Sequence, residues 1–344
     1  MTDDLLQLAN HVLDRAQAGE DVEAYAASEV TTRIDVRDGD VDTLASAATR
    51  GVGVRVVRDG RQGYAYTSDV SEDALVDALR SARANADVAT PDEANGLPDP
   101  AGAPVLEGLV ADVFADVPVE ERIDLALAME EAARAADGRV RGLETAQYQD
   151  AHRRVALVST RGLSLTQERT DAWAYVNVLA GDGDESQTGI GLTLGRGPAE
   201  LDVEAAGSEG ALRATRLLGA RKPTSRRRAV VFDPWVTAQF LGVLGTALSA
   251  DAVLKGRSLF ADRIGDEVGA DDLTLLDDGL RPGAPGTAPW DGEGVPQERT
   301  VLIEDGALAS YLHTTWTARR AGGGARSTGN AARAGFQSSP GLSP

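Results

Sequence analysis

VEAYAASEVTTRIDVRDGDVDTLASAATRGVGVRVVRDGRQGYAYT, from Val22 to Thr67, decides the fold. Apolar and polar residues alternate with a period of two, and Asp38-Gly39 and Asp59-Gly60 punctuate the run. Alternation marks half-buried strands, and an Asp-Gly pair adopts the left-handed backbone that a two-residue hairpin turn requires. VEAYAASEV, TRIDVRDG, VDTLASAA, GVGVRVVRDG and RQGYAYTSD therefore read as successive strands of an antiparallel meander. A helical face formed by Leu5, Leu8, Ala9, Val12 and Ala16 precedes it, and a helix opening at Ser71-Glu-Asp follows.

From Val88 to Pro104 the chain turns to Pro, Asp, Gly and Asn, the composition of a linker or long loop. The same order then returns: a helix at Val119 to Ala136, alternating segments between Val140 and Gly195, and a helix at Leu201 to Ala220. The expected fold is α+β, with antiparallel β-meander sheets and flanking helices in each of two domains, residues 1–104 and 105–344. The repeat has too few identities to establish a duplication.

Beyond the second unit, AVVFDPWVTAQFLGVLGTALSAD (Ala229 to Asp251) reads as a buried strand, a Asp233-Pro234 break and a helix with Phe240, Leu244 and Leu248 on one buried face. Between Trp235 and Ala250 that helix has no acidic, basic, histidine or cysteine side chain. Its length approaches that of a bilayer span, but Thr237, Gln239, Thr246 and Ser249 favour a core helix. A hairpin is expected around Glu304-Asp305-Gly306.

The 344 residues carry a net charge of -20, with 54 acidic against 34 basic side chains, of which only Lys222 and Lys255 are lysine. Such a surface favours solubility and repels nucleic acid. The basic run Arg221 to Arg228 reads as a solvated linker. Acids near the N-terminus replace the basic region of a signal peptide, so a cytoplasmic chain with no membrane segment is expected. The absence of cysteine excludes disulfides, thiolate metal sites and a cysteine nucleophile within this chain.

Chemistry-bearing motifs are sparse. His11, His152 and His313 have no metal-binding spacing, with His152 placed near a hairpin turn and His313 at a strand end. No Gly-x-Ser-x-Gly elbow or phosphate loop occurs, since GIGLTLG (Gly189 to Gly195) lacks the required spacing. Asp277-Asp278 and Asp291 with Glu293 read first as turn acids and second as acid/base groups. Arg319, Arg320, Arg326 and Arg333, with Asn330 among them, are candidate groups for gripping a peptide's carboxylate or carbonyls.

GVGVRVVRDGRQGYAYTSD (Gly51 to Asp69), VVFDPWVTAQFLGVLGTALSADAVLKGRSLFADRIGDEV (Val230 to Val268), DGEGVPQERTVLIEDGALASYL (Asp291 to Leu312) and STGNAAR (Ser327 to Arg333) together resemble the TldD/PmbA metallopeptidase family. The resemblance implies two branches: TldD, whose His-Glu-x-x-x-His helix binds zinc and cleaves unstructured peptides, and TldE or PmbA, which lacks that helix motif and pairs with TldD around a cavity. Aligned from Trp235, the two histidines and the glutamate of the zinc motif fall on Leu241, Thr246 and Gly242, none of which supplies a ligand or a base equivalent to those replaced. The cysteine ligand of the active branch also has no counterpart, and the family adds C-terminal strands beyond the point where this sequence ends.

The resemblance therefore implies a non-catalytic TldE/PmbA-like subunit of a heterodimeric zinc metallopeptidase. Zinc is expected only in a TldD-like partner, and no cofactor in this chain. The alternatives are a stand-alone peptide-binding or scaffold protein, a homodimer included, and a metal-dependent hydrolase built on Asp291 and Glu293.

Overall fold

The computed structural model describes residues 3–342; the last two residues of the polar SSPGLSP end lie outside that range. The chain opens with α1 (Asp3–Leu13), followed by β1 (Asp21–Arg37), β2 (Asp40–Arg58), β3 (Arg61–Thr67) and α2 (Glu72–Val88). After the Pro-rich loop come α3 (Val119–Ala135), β4 (Val140–Ser159), β5 (Ser164–Asp182), β6 (Glu185–Gly195) and α4 (Val203–Thr215). Asp38 and Gly39 (φ 54 and 83°) and Asp59 and Gly60 (φ 51 and 69°) take the left-handed turns their residue types predict.

The short strands expected in the first meander are pieces of longer ones. VEAYAASEV and TRIDVRDG are one strand of 17 residues, and VDTLASAA and GVGVRVVRDG one of 19. VRGLETAQYQD and HRRVALVST likewise merge into β4, so His152 lies in mid-strand opposite Val30 and Thr170, away from any turn. No Pro or Gly pair interrupts these segments at Thr31, Ala48 or Ala151, and the backbone runs through.

The meanders also share one sheet. β1 pairs antiparallel with β4, giving six strands in the order β3-β2-β1-β4-β5-β6 across the boundary at residue 104. All four helices cover one face of this sheet. Val22, Ala24 and Ala26 pack with α1 and α2, while Ile34 and Val36, on the same parity of β1, share a core with α3 and α4. Helix α4 comes close to β6 because Gly189 and Gly191 present no side chain where its backbone passes.

The other face receives the C-terminal third. Tyr25, Ala27, Val155 and Leu157 on the opposite parity pack against Trp290 and Phe336. That third comprises α5 (Pro234–Ala247), α6 (Ala250–Leu254), β7 (Leu275–Asp278), β8 (Arg299–Glu304), β9 (Ala307–Leu308), α7 (Thr315–Ala321), β10 (Ala331–Ala332) and β11 (Gly341–Leu342). Leu248, Phe260, Leu302, Ile303, Leu308 and Leu312 form its own small core. The hairpin about Asp305-Gly306 forms as the sequence predicts, although its return strand ends at Leu308.

The buried strand and buried helix expected over Ala229 to Asp251 are not found. Residues 221–233 form no strand, and Val231 is 95% exposed. Helix α5 exists, initiated by Pro234 and by Asp233, whose side chain accepts the Val236 N–H at 2.9 Å. Its flank carrying Phe240, Leu241 and Val243 is nonetheless exposed, and only Leu248 at its C-terminal cap is fully buried in the small core. Apolar periodicity specifies a helix with one greasy face; burial further requires an opposing surface, which the described residues supply at the C-terminal end of the helix, to Leu244, Ala247 and Leu248. No helix among the described residues is long and apolar enough to cross a membrane.

Candidate functional site

Two features stand out: a buried ion network where the C-terminal third meets the sheet, and the exposed helix α5. In the network, Glu23 and Arg55 are direct cross-strand partners on the sheet face away from the helices. Arg55 donates through Nη2 to Glu23 Oε2 at 2.6 Å and through Nη1 to Glu293 Oε1 at 3.2 Å. Arg333 donates to the second oxygen of Glu23, gives Nε–H to the Gly292 carbonyl at 2.5 Å, and lies 4.8 Å over the Tyr25 ring. Glu293 Oε2 accepts the Thr315 N–H at 2.9 Å.

All four charged side chains are buried. Burial of a lone charge is costly, and alternation of two acids with two arginines is what makes this cluster tolerable. Burial pushes the Glu23 carboxyl up, but Arg333 and Arg55 outweigh it and hold it below the usual range. Burial likewise opposes the charge on Arg55, and Glu23 and Glu293 reverse that effect.

Asp291 beside this network is a turn residue, as the simpler sequence reading expects. Its Oδ1 accepts the N–H of Glu293 at 2.8 Å and of Val295 at 3.0 Å, and its Oδ2 accepts that of Ala331 at 2.9 Å. Burial and the neighbouring Glu293 push it up to about 7. With Asp291 committed to three backbone donors and Glu293 to Arg55 and Thr315, neither carboxylate is free for acid/base or metal chemistry. Asp277 is tied to Asn330, whose Nδ2 donates to it at 2.9 Å.

The arginine-rich end is spread over separate places. Arg319 donates to the Leu97 carbonyl at 2.8 Å, Arg320 meets Asp92 at 3.4 Å, and Arg326 pairs with Glu298 at 2.8 Å. Arg319 and Arg326 share the wall of an open groove of about 510 Å³ with Pro98, Val295 and Pro296. Arg333 sits with Tyr25, Trp290 and Asp291 on a different cavity of about 230 Å³, and its guanidinium is consumed by the buried network. Only Arg319 and Arg326 are brought together on one accessible surface. The sequence reading missed Glu23, Arg55 and Tyr25 altogether.

On α5, Leu241 is exposed, Gly242 has open space where a side chain would begin, and the Thr246 hydroxyl donates to the Gly242 carbonyl at 3.2 Å. An aliphatic chain, no chain and an internally bonded hydroxyl do not fit a zinc ion. Among the described residues no group of three His, Asp or Glu side chains is placed to hold a metal. The helix is steadied from α4: the Arg213 guanidinium lies 4.9 Å over the Trp235 ring and Arg216 reaches Asp233 at 3.4 Å. Phe232 and Phe240 pack at 4.9 Å between ring centres.

This combination, one antiparallel sheet with helices on a single face and a C-terminal segment locked to the other, is a PmbA/TldD-like fold. Models of that family's first, central and C-terminal metallopeptidase domains match residues 22–86, 112–218 and 225–344. A metalloprotease of Methanothermobacter thermautotrophicus is 30% identical over 328 residues, covering 92% of this chain and 69% of the relative. Metalloprotease PmbA of Escherichia coli O157:H7 is 27% identical over 335 residues, covering 95% and 73%. The chain belongs to the PmbA/TldD metallopeptidase family. In fold it is similar to TldE from Thermococcus kodakarensis, with TM-score 0.79 and 20% identity over 99% of this chain and 75% of that one. A Bacteroides thetaiotaomicron protein described as a modulator of DNA gyrase superposes with TM-score 0.85 at 22% identity, covering 95% and 74%.

Proposed function

We propose that this chain is a non-catalytic subunit of a two-subunit metallopeptidase acting on unstructured peptides. The reading is supported by α5, whose Phe240, Leu241 and Val243 are exposed, and by the resemblance, which sets Leu241, Gly242 and Thr246 at the positions of the family's zinc motif. An apolar flank of this kind is a binding surface before it is anything else. The basic run from Arg221 to Arg228 lies in the segment leading to it and suits an acidic partner. The partner is a zinc-bearing member of the same family. It supplies the metal and the base, and this chain supplies a docking face and a wall beside the bound peptide, where Arg319 and Arg326 meet peptide carbonyls.

The test is co-expression with such a zinc-bearing relative. A stable complex of the two chains is expected, and its loss on Val243→Asp. A chain that never associates with a zinc-bearing relative sinks the reading.

A further inference from the structure

A cavity of about 230 Å³ lies where the C-terminal third roofs the bare face of the sheet. Its floor follows from strand parity. Tyr25 and Glu29 share one face of β1, Arg153 of β4 stands directly opposite Glu29, and Arg169 of β5 directly opposite Arg153. Trp290 and Gln297 come from the loop above, and Arg333 follows β10. Arg169 ties this roof down by donating to the Thr287 carbonyl at 3.3 Å. The space is well above what a single water needs.

Polar groups on this wall lack partners. Tyr25 and Trp290 are only 7% and 5% exposed, yet the Tyr25 hydroxyl and the Trp290 indole N–H have no hydrogen-bond partner among the described residues. The Trp290 ring divides this cavity from a second groove lined by Leu106 and Val110. The side-chain amides of Gln167 and Gln297 are likewise unpartnered among the described residues. A buried donor is rarely left unpaired, because water has been removed from it without replacement.

Charge selects the occupant. Arg153 and Arg169 are like charges directly opposite each other, an arrangement that weakens a sheet unless negative charge comes between them. Their acid partners Glu29 and Asp171, and Glu23, which takes Arg333, lie off the cavity wall. Arg153 gives Nε and Nη2 to Glu29 at 3.1 and 2.7 Å, and its Nη1 has no partner among the described residues. The acid that does line the cavity, Asp291, has both oxygens turned to backbone N–H groups. Three arginines thus border the space against one occupied carboxylate, with Val155, Ala288 and the Trp290 ring as its apolar wall. We propose that this cavity binds a carboxylate carrying a small apolar group, the carboxylate meeting Arg153 and the Tyr25 hydroxyl and the apolar group resting on Trp290. A small free acid and the last residue of a peptide both offer this chemistry. The inference concerns this chain alone and holds whether or not it pairs with a zinc-bearing relative.

The experiment is calorimetric titration of the full chain with N-acetylalanine, with N-acetylalaninamide as its uncharged counterpart, and with tetra-alanine. N-acetylalanine is expected to bind at least about tenfold more tightly than the amide. Tetra-alanine bound as well as N-acetylalanine assigns the site to a peptide end, and tetra-alanine excluded while N-acetylalanine binds assigns it to a small free acid; both uphold the proposal. Arg153→Gln changes a half-exposed side chain, and Tyr25→Phe keeps the ring that Arg333 covers. Each should weaken N-acetylalanine about tenfold and leave the amide unchanged, with folding checked by circular dichroism. Absence of N-acetylalanine binding overturns the proposal, as does an amide that binds equally or inorganic phosphate that binds more tightly. Variants that bind like the wild type overturn it as well. If one variant does not fold, the other decides together with the comparison of acid and amide.

Discussion

Arg55 Nη1 and Glu293 Oε1 lie 3.2 Å apart, with both side chains buried and the two residues 238 positions apart in the chain. This contact, together with Glu23 and Arg333, fastens the C-terminal third to the bare face of the sheet. Arg55→Ala leaves Glu293 without its counter-charge and Glu23 with one arginine instead of two. Loss of one member of a buried ion network costs roughly 3–5 kcal/mol. Urea unfolding should show a loss of that size, against less than about 0.5 kcal/mol for Arg50→Ala at the surface.

Asp291 gives the stability a pH dependence of definite sign. Its folded value, about 7, lies above the ordinary 3.8, so the protonated form is favoured by folding. The stability it contributes is present below 3.8 and is lost as pH rises through 7, its three backbone donors offsetting part of the loss. The difference in urea midpoint between wild type and Asp291→Asn should therefore shift against the wild type between about pH 4 and about pH 8. A difference that is flat across that range contradicts the burial of the Asp291 carboxyl beside Glu293 without a counter-charge of its own.

Gly191 of β6 lies under α4, where a Cβ would run into the Ala206 carbonyl and the Gly210 backbone. Backbone atoms cannot rotate away, so Gly191→Val must lift the helix or bend the strand. A loss of about 1–3 kcal/mol in thermal or urea unfolding is expected. Gly242→Ala on α5, where nothing is within reach of the added methyl, should be neutral or slightly stabilising.

The strands were legible where local chemistry decides them. Asp38-Gly39, Asp59-Gly60 and Asp305-Gly306 each take the turn their residue types predict, and alternation located nearly every long strand. Register was not legible. The bulge between Asp35 and Val36 shifts the β1–β2 pairing by one residue, and only with that shift does Glu23 face Arg55; a bulge-free hairpin would set it against Val54. The buried network, and Arg333 as part of it, was therefore hidden from a reading that saw arginines among glycines. Burial at Ala229 to Asp251 was misjudged for a related reason. Composition reports that a surface is apolar, while what covers it depends on the fold of the remaining chain or on another molecule.

That α5 supplies a docking face and no reactive group is tested most directly by hydrolysis of an unstructured peptide. Three samples are needed: this chain alone, a mixture with a zinc-bearing family member, and the same mixture made with Val243→Asp, a change at an exposed position whose folding is checked by circular dichroism. The expected result is no hydrolysis by the chain alone, activity in the mixture, and at least about a tenfold drop with Val243→Asp, the scale of losing one central apolar contact. Hydrolysis by the purified chain alone, at a rate unaffected by the partner, would contradict it.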